Sequence, residues 1–290
     1  MVDQISLHNV YAEERRDLPF KQFTFSGGEP HVEVDPKLVH DQYVWIDARL
    51  GSPEGWMRLL ALLDAVSACQ PRRLGLFLPY FPGARQDRRQ PGTPLTVSIY
   101  ADILREFSAI ELVCTVDPHS DVVASCMNGV PMEILPLEEV MPADLTTDFD
   151  GWICPDAGAE KRVHSAARFL GVSTVVHARK QRNVATGQLS GFSCEPLPKA
   201  DGSYLIVDDI CDGGGTFQGL AKEIWKNTPG AQISLWCAHG IFSKGFQPFH
   251  EFLGVHTTDS FPQAQNLPGF VAVNKIHDVA AGVMRRRIAR

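Results

Sequence analysis

Tyr204–Thr216 reads YLIVDDICDGGGT, an apolar run that ends in two adjacent carboxylates and passes through three glycines toward the amphipathic segment Phe217–Asn227. A strand that closes on paired acids and a Gly-rich turn offers two chemistries side by side. Asp208 and Asp209 can accept hydrogen bonds from sugar hydroxyls or hold a hydrated cation, and the backbone N–H groups of Gly213–Thr216 can wrap a phosphate at a helix start. A phosphorylated ribose has both parts. A tight turn with a capping Asp would read the same, but two buried adjacent acids repel each other unless a cation or hydroxyl donors sit between them. No Gly-Lys-Ser or Gly-Lys-Thr closes the loop, which sets it apart from a P-loop.

The 290 residues, 44% hydrophobic and 21% charged, suffice for two cores of ordinary size, and two domains are the default. A formal net charge of −7 opposes a general nucleic-acid binder, whose footprint would be basic. Seven cysteines without CxxC spacing suggest a reduced cytosolic chain with neither a disulfide framework nor a zinc site. The N-terminus lacks a basic region followed by an apolar core, and no apolar stretch is long enough to span a bilayer, so a cytoplasmic protein without membrane or nucleic-acid partners is expected.

Outward from the opening stretch, short apolar runs alternate with amphipathic segments: Tyr43–Ile46, Trp56–Ala68, Leu74–Leu78, Thr96–Phe107 and Leu112–Val116, then Gly151–Cys154, Lys161–Leu170, Ser173–His177, Tyr204–Val207, Phe217–Asn227 and Gln232–Ala238. This rhythm predicts an α/β protein in two halves, each a mainly parallel sheet flanked by helices, with a boundary near 142–150. Ile276–Arg290 reads as a solvated amphipathic terminal helix.

Ligands of open α/β sheets bind beyond the carboxyl ends of the strands, where four polar clusters fall. PYFPGARQDRR, Pro79–Arg89, places Arg85, Gln86 and Asp87 on a proline-stiffened loop whose arginine forks suit polyphosphate, or else are merely solvated. VDPHSD, Val116–Asp121, sets His119 beside two acids, as a metal ligand, a phosphate contact or a surface residue. CPDAGAEKR, Cys154–Arg162, offers Asp156 as a helix cap or a magnesium ligand. ARKQRN, Ala178–Asn183, puts Lys180 and Arg182 on an exposed loop, either a solvated turn or a cationic segment that closes over developing negative charge.

Together these clusters resemble the ribose-phosphate pyrophosphokinases, or phosphoribosyl pyrophosphate (PRPP) synthetases, collinearly from Phe25 to about residue 285. FSGGE at Phe25–Glu29 is similar to that family's FSDGE, PYFPGARQDRR to PYFxYARQDRR, VDPHSD to VDLHAxQ, PDAGAEKR to PDxGGxxR, and VDDICDGGGT to VDDxIDTGGT. AHGIFS at Ala238–Ser243 is similar to its THxIFS. The resemblance implies two type I phosphoribosyltransferase-like domains: 1–145, with the ATP site and subunit contacts, and 146–290, with the ribose 5-phosphate site and catalytic loop. It implies that Phe25 and Glu29 reach the adenine from a neighbouring subunit of a dimer or larger homo-oligomer, and that Arg85, Gln86 and Asp87 bind ATP. His119 and Asp156 would sit at Mg2+, and Lys180, Arg182 and His119 would serve catalysis. Asp208 and Asp209 would hold the ribose hydroxyls, and Asp212, Gly213, Gly214, Gly215 and Thr216 the 5-phosphate. The implied reaction joins ATP and ribose 5-phosphate into PRPP, with release of AMP.

Three positions depart from the family pattern. Gly27 replaces an acid that reads the adenine amino group, and Gln90–Thr96 is shorter and less basic than the regulatory loop of the commonest class. Gly213 replaces a threonine, which removes a hydroxyl and opens room beside the phosphate. That room suggests a rival acceptor such as ADP-ribose, as in some phage-encoded relatives. A base-transferring phosphoribosyltransferase leaves the Arg85–Arg89 cluster unexplained, and a non-catalytic regulatory subunit sits badly with an intact set of catalytic residues.

Overall fold

The computed structural model of the chain describes residues 3–11, 17–182, 189–262 and 267–288. The chain divides into two compact units: Met1–Leu135 with Ser260–Gln263 and Ile276–Arg290, and Pro136–Asp259 with Ala264–Lys275. The first carries β1 (Gln4–Asn9), β2 (Asp17–Leu18), β3 (Phe20–Thr24), β4 (Pro30–Val34), α1 (Pro36–Val39), β5 (Tyr43–Arg49), α2 (Pro53–Ala68), β6 (Arg73–Phe77), α3 (Thr96–Arg105), β7 (Ile110–Val116), α4 (Val122–Cys126) and β8 (Met132–Leu135). The second carries α5 (Leu137–Val140), β9 (Gly151–Cys154), α6 (Glu160–Leu170), β10 (Val175–Arg182), β11 (Leu189–Cys194), β12 (Ser203–Cys211), α7 (Gly215–Asn227), β13 (Gln232–Gly240), β14 (Gly254–Thr258) and β15 (Val271–Asn274). The final helix, α8 (His277–Ile288), returns to the first unit.

The first sheet runs β2-β1-β5-β6-β7-β8, parallel from β5 to β8 with β1 and β2 antiparallel at one edge. β5 is buried from Val44 to Arg49, as a strand covered on both faces must be. Behind it, α2 begins at Ser52, whose hydroxyl accepts from Gly55 N–H at 3.0 Å, with Pro53 opening the first turn. Its apolar stripe of Leu59, Leu62, Leu63 and Val66 is fully buried. The second sheet runs β11-β10-β9-β12-β13-β14-β15, parallel throughout except for the antiparallel β10–β11 edge. Two mainly parallel sheets with packed helices are the α/β class that the hydrophobic rhythm predicts.

Two strands run further than their apolar runs predict. β12 continues past Val207 through Asp208, Asp209, Ile210 and Cys211, because β13 offers a parallel ladder as far as Gly240. β10 continues past His177 to Arg182 because β11 pairs with it, Lys180 opposite Phe192. The cationic segment expected as a loop is therefore strand at least to Arg182.

The C-terminal helix is also more than a solvated end. Ala280, Val283, Met284 and Ile288 are buried, and α8 lies against β6, where Gly75 leaves room for Met284 and Ile288. At its start, His277 Nδ1 lies 3.1 Å from Asp47 Oδ2, and Arg287 pairs with Glu133 at 2.8 Å near its end. Burial raises the Asp47 pKa, but the His277 hydrogen bond and the Arg49 charge and hydrogen bond outweigh it and hold the carboxyl below its usual range. Gly75→Val should cost about 1–3 kcal/mol, because any Cβ at that position overlaps Ile288 and Met284. Urea unfolding reads this cost, and an unchanged midpoint would show that α8 is not packed there.

Among the described residues no helix is long and apolar enough to cross a membrane.

Candidate active site

In the first unit the candidate residues gather beyond the ends of adjacent strands. After β6 the chain turns through Pro79–Arg89, pinned by buried Phe81 and Ala84. Pro79 O accepts from Thr115 Oγ1 at 3.1 Å and from Val116 N–H at 3.0 Å, which ties this loop to β7. Gly83 holds φ +73 with Thr96 and Tyr100 close by, a position only glycine takes without strain. The anchoring leaves Arg85 and Gln86 exposed and Asp87 half-buried, with Arg88 Nε 4.0 Å from Asp87 Oδ1.

Beyond β7, His119 is exposed on the adjoining turn. Buried Asp117 precedes it at φ +27, a strained value for a non-glycine residue, with its N–H donated to Leu135 O at 2.9 Å. Sequence cannot show such strain, which here marks a strand end beside a candidate ligand.

The β3–β4 hairpin presents Phe25 and Glu29. Its tip is closed by Phe25 N–H to Glu29 O at 2.9 Å and Gly28 N–H to Phe25 O at 2.8 Å. Phe25 is 51% exposed and Phe23 38%, and the two rings meet edge-on at 5.1 Å. Large aromatic rings held in water on a two-stranded hairpin are costly unless a partner or ligand covers them. A Cβ on Gly27 would stand 2.5 Å from Glu29 Oε2, so the room left there is taken by the Glu29 carboxylate.

In the second unit, Asp156 follows β9. Its Oδ1 accepts from Gly158 N–H at 2.8 Å and Ala159 N–H at 3.1 Å, and its Oδ2 lies 2.5 Å from Lys180 Nζ. Asp156 thus caps the turn into α6 and also binds the lysine on β10; its two oxygens do different work. Burial raises its pKa, but Lys180 and the two N–H donors outweigh burial and hold the carboxyl below the usual range. A depressed carboxyl stabilises the fold above its unfolded pKa of about 3.9, and loses that contribution as pH falls through its folded value. Asp156→Asn should therefore flatten the acid limb of the stability curve in that window, and an unaltered limb would contradict the pairing. Arg182 ends β10, and its side chain lies outside the described residues, as do Asn183 and Gly187.

Asp208 and Asp209 lie within β12, Asp208 half-buried and Asp209 buried, and Asp208 Oδ1 accepts from Asp209 N–H at 2.9 Å. Arg162 on α6 reaches Asp209 at 2.9 Å and supplies the cation that a buried carboxylate requires. Burial, then the Asp209 charge, raises the Asp208 pKa well above the carboxylate range, so its surroundings favour the neutral carboxyl over the charged one. Hydroxyl donors or a hydrated cation would favour the charged form. Arg162 is a residue whose role the sequence left unread, since only packing brings α6 over β12.

The Gly-rich turn connects β12 to α7. Asp212 Oδ1 accepts from Ser243 Oγ at 2.6 Å, and Asp212 O from Ser243 N–H at 3.1 Å, so the ends of β12 and β13 hold each other. Gly214 sits at φ +75, where a Cβ would lie 2.5 Å from Phe249 Cζ. Gly215 and Thr216 open the 13-residue α7, whose first N–H groups are donors of the kind that suit an anion. Beside Gly213 the expected free space holds a side chain: the Lys244 stem, whose Cδ would be 3.1 Å from a Cβ there. Lys244 was not anticipated. It follows Phe242, another non-glycine residue with positive φ, +48, at a strand end.

Hard carboxylate oxygens are the donors that Mg2+ takes, and Asp156, held in its charged form, offers them, so it fits that ion.

Residues 15–107 match the family model of the N-terminal domain of ribose phosphate pyrophosphokinase. The chain is 29% identical over 235 residues to a ribose-phosphate pyrophosphokinase of Ralstonia nicotianae, covering 76% of this chain and 70% of that protein. It is 26% identical over 273 residues to one from Corynebacterium efficiens, covering 85% and 78%. Among solved structures, the phosphoribosylpyrophosphate synthetase from Mycobacterium smegmatis superposes with a TM-score of 0.78 at 22% identity, over 92% of this chain and 89% of that one. That likeness establishes the fold.

Proposed function

We propose that this chain, a member of the ribose-phosphate pyrophosphokinase family, transfers the β,γ-diphosphoryl group of ATP to the 1-hydroxyl of ribose 5-phosphate, giving PRPP and AMP. One observation carries the reading: four separate family-like motifs each emerge beyond or at the carboxyl end of a parallel strand, in chain order, where this class of sheet binds ligands.

The ribose oxygen attacks the β-phosphorus, the bond from that phosphorus to the bridging oxygen of the α-phosphate breaks, and the hydroxyl proton is lost. Such a transfer asks the protein to align an oxygen with phosphorus and to offset spread negative charge, with no covalent intermediate. Arg85, Gln86 and Asp87 serve ATP, with Arg85, exposed on its loop, offering its fork to the polyphosphate. Asp208 and Asp209 take the ribose hydroxyls, and the N–H groups of Asp212–Thr216 take the 5-phosphate. Lys180 and Arg182 stabilise the diphosphoryl group in flight. His119 and Asp156 would hold Mg2+, which when bound offsets charge on the phosphates. Phe25 and Glu29 cover the adenine of a neighbouring subunit, which accounts for the exposed rings and makes the working form a homo-oligomer in the cytoplasm.

Lys244 supports ribose 5-phosphate over a larger acceptor, since its stem fills the place that Gly213 would have opened. Its ammonium then serves the 5-phosphate. Lys244→Ala should raise KM for ribose 5-phosphate about tenfold and change kcat less, the loss of one charge-assisted contact of about 1.5–3 kcal/mol at most. An unaltered KM would remove Lys244 from the site. Incubation with ATP, Mg2+ and either ribose 5-phosphate or ADP-ribose, followed by product mass, tests the reading. AMP and PRPP from ribose 5-phosphate are expected; a pyrophosphorylated product from ADP-ribose alone would overturn it.

A further inference from the structure

Glu160 and His164 stand one helical turn apart on α6, and residues at i and i+4 share a face. The β9–α6–β10 crossover lays that face over His177, the third residue of β10. His164 Nε2 and His177 Nε2 point at each other across 3.3 Å, with ring centroids 5.0 Å apart. One ligand atom from each of Glu160, His164 and His177 lies within 4.8 Å of the others.

That N···N separation is long for a hydrogen bond from an N–H donor, which spans about 2.7–3.2 Å. It equals one edge of a coordination tetrahedron: two nitrogens each about 2.0–2.1 Å from a common ion at the tetrahedral angle are about 3.3–3.4 Å apart. Both histidines are half-buried, which fixes the rings yet leaves the site open to an ion from solvent, and Glu160 is exposed on the first helical turn, where its carboxylate can turn inward. A second carboxylate is at hand, since Glu195 Oε2 accepts from the backbone N–H of His177 at 3.0 Å. The first unit holds another such trio, His8, Asp47 and His277, but there Arg49 already pairs with Asp47, and His8 is engaged by Ser6 and Asp17 through its two nitrogens.

We propose that Glu160, His164 and His177 form a transition-metal site, two imidazole nitrogens and one carboxylate with water completing a tetrahedron, selective for Zn2+-like ions over Mg2+. Imidazole pairs suit borderline ions, whereas a Mg2+ shell is built mainly of oxygens. The site is separate from the Mg2+ assigned to His119 and Asp156, and it stands whether or not that assignment does. A bound ion would tie α6 to β10, the two elements that carry Arg162 and Lys180.

Isothermal titration of Zn2+, and separately of Mg2+, into the full chain after chelator treatment tests it, together with the absorption spectrum of the Co2+-loaded protein. One Zn2+ per chain should bind here, with tetrahedral Co2+ bands, and His164→Ala or His177→Ala should weaken that equivalent at least tenfold, about 1.4 kcal/mol, and abolish the bands. Exposed Glu160→Gln should weaken it less and serves if either histidine variant fails to fold. A wild type without a Zn2+ equivalent, or one whose affinity and Co2+ spectrum survive all three substitutions, would leave only a histidine pair in contact and overturn the proposal.

Discussion

Lys180→Ala is expected to lower turnover by about 10³-fold, as loss of a cation that meets transition-state charge does in other phosphoryl-transfer enzymes. The lysine is prepared for that work: β10 carries it in a sheet ladder opposite Phe192, and Asp156 holds its ammonium at 2.5 Å. Substitution leaves Asp156 its two backbone donors, so the turn into α6 survives and the loss reads chemistry rather than folding. Because the interaction strengthens only as charge develops, kcat should fall while KM for ATP changes little. Arg182→Ala, two residues along the same strand, should fall by a comparable factor. A loss below about tenfold in either variant would remove that residue from the mechanism.

Gly214→Ala should be the most damaging single change in the sugar-phosphate cradle. The position holds φ +75, which costs an L-residue about 1–2 kcal/mol, and the new methyl would stand 2.5 Å from the ring of fully buried Phe249 and 3.2 Å from Pro248. A core ring cannot retreat as a surface side chain can, so overpacking adds about 1–3 kcal/mol. The turn must shift, and with it the N–H groups that precede α7. The expected result is a Tm lower by about 5–10 °C and a kcat/KM for ribose 5-phosphate reduced at least about 10²-fold, with KM for ATP near that of the wild type. Gly215→Ala supplies the contrast in stability, because nothing lies within 4 Å of a Cβ there. If Gly214→Ala binds ribose 5-phosphate normally, the turn is not the phosphate site.

Much of this architecture was legible because parallel strands buried on both faces leave near-continuous apolar runs, and polar residues that interrupt the rhythm fall at strand ends. Asp156 and the Arg85–Asp87 loop were found in that way. The ends themselves were misjudged where pairing overrides pattern: Asp208 and Asp209 look like the close of a strand, yet the ladder to β13 carries them inside it, and β11 converts the segment at Lys180 from loop to strand. Contacts made across the fold were illegible. Nothing local to Arg162, Ser243 or Lys244 indicates that they meet Asp209, Asp212 and Gly213, and α8 declares its place only through the gap at Gly75. Departures from the family pattern were visible as letters, but their meaning was not, since the space implied by Gly213 is filled by a side chain 31 positions away in the sequence.

The most direct test of the central claim is phosphorus NMR of the purified chain with ATP, Mg2+ and ribose 5-phosphate. AMP and PRPP should appear together in equal amounts, and only when ribose 5-phosphate is present. Formation of ADP with a ribose bisphosphate would show γ-phosphoryl transfer, and ATP left intact would show no transfer at all; either result contradicts the account.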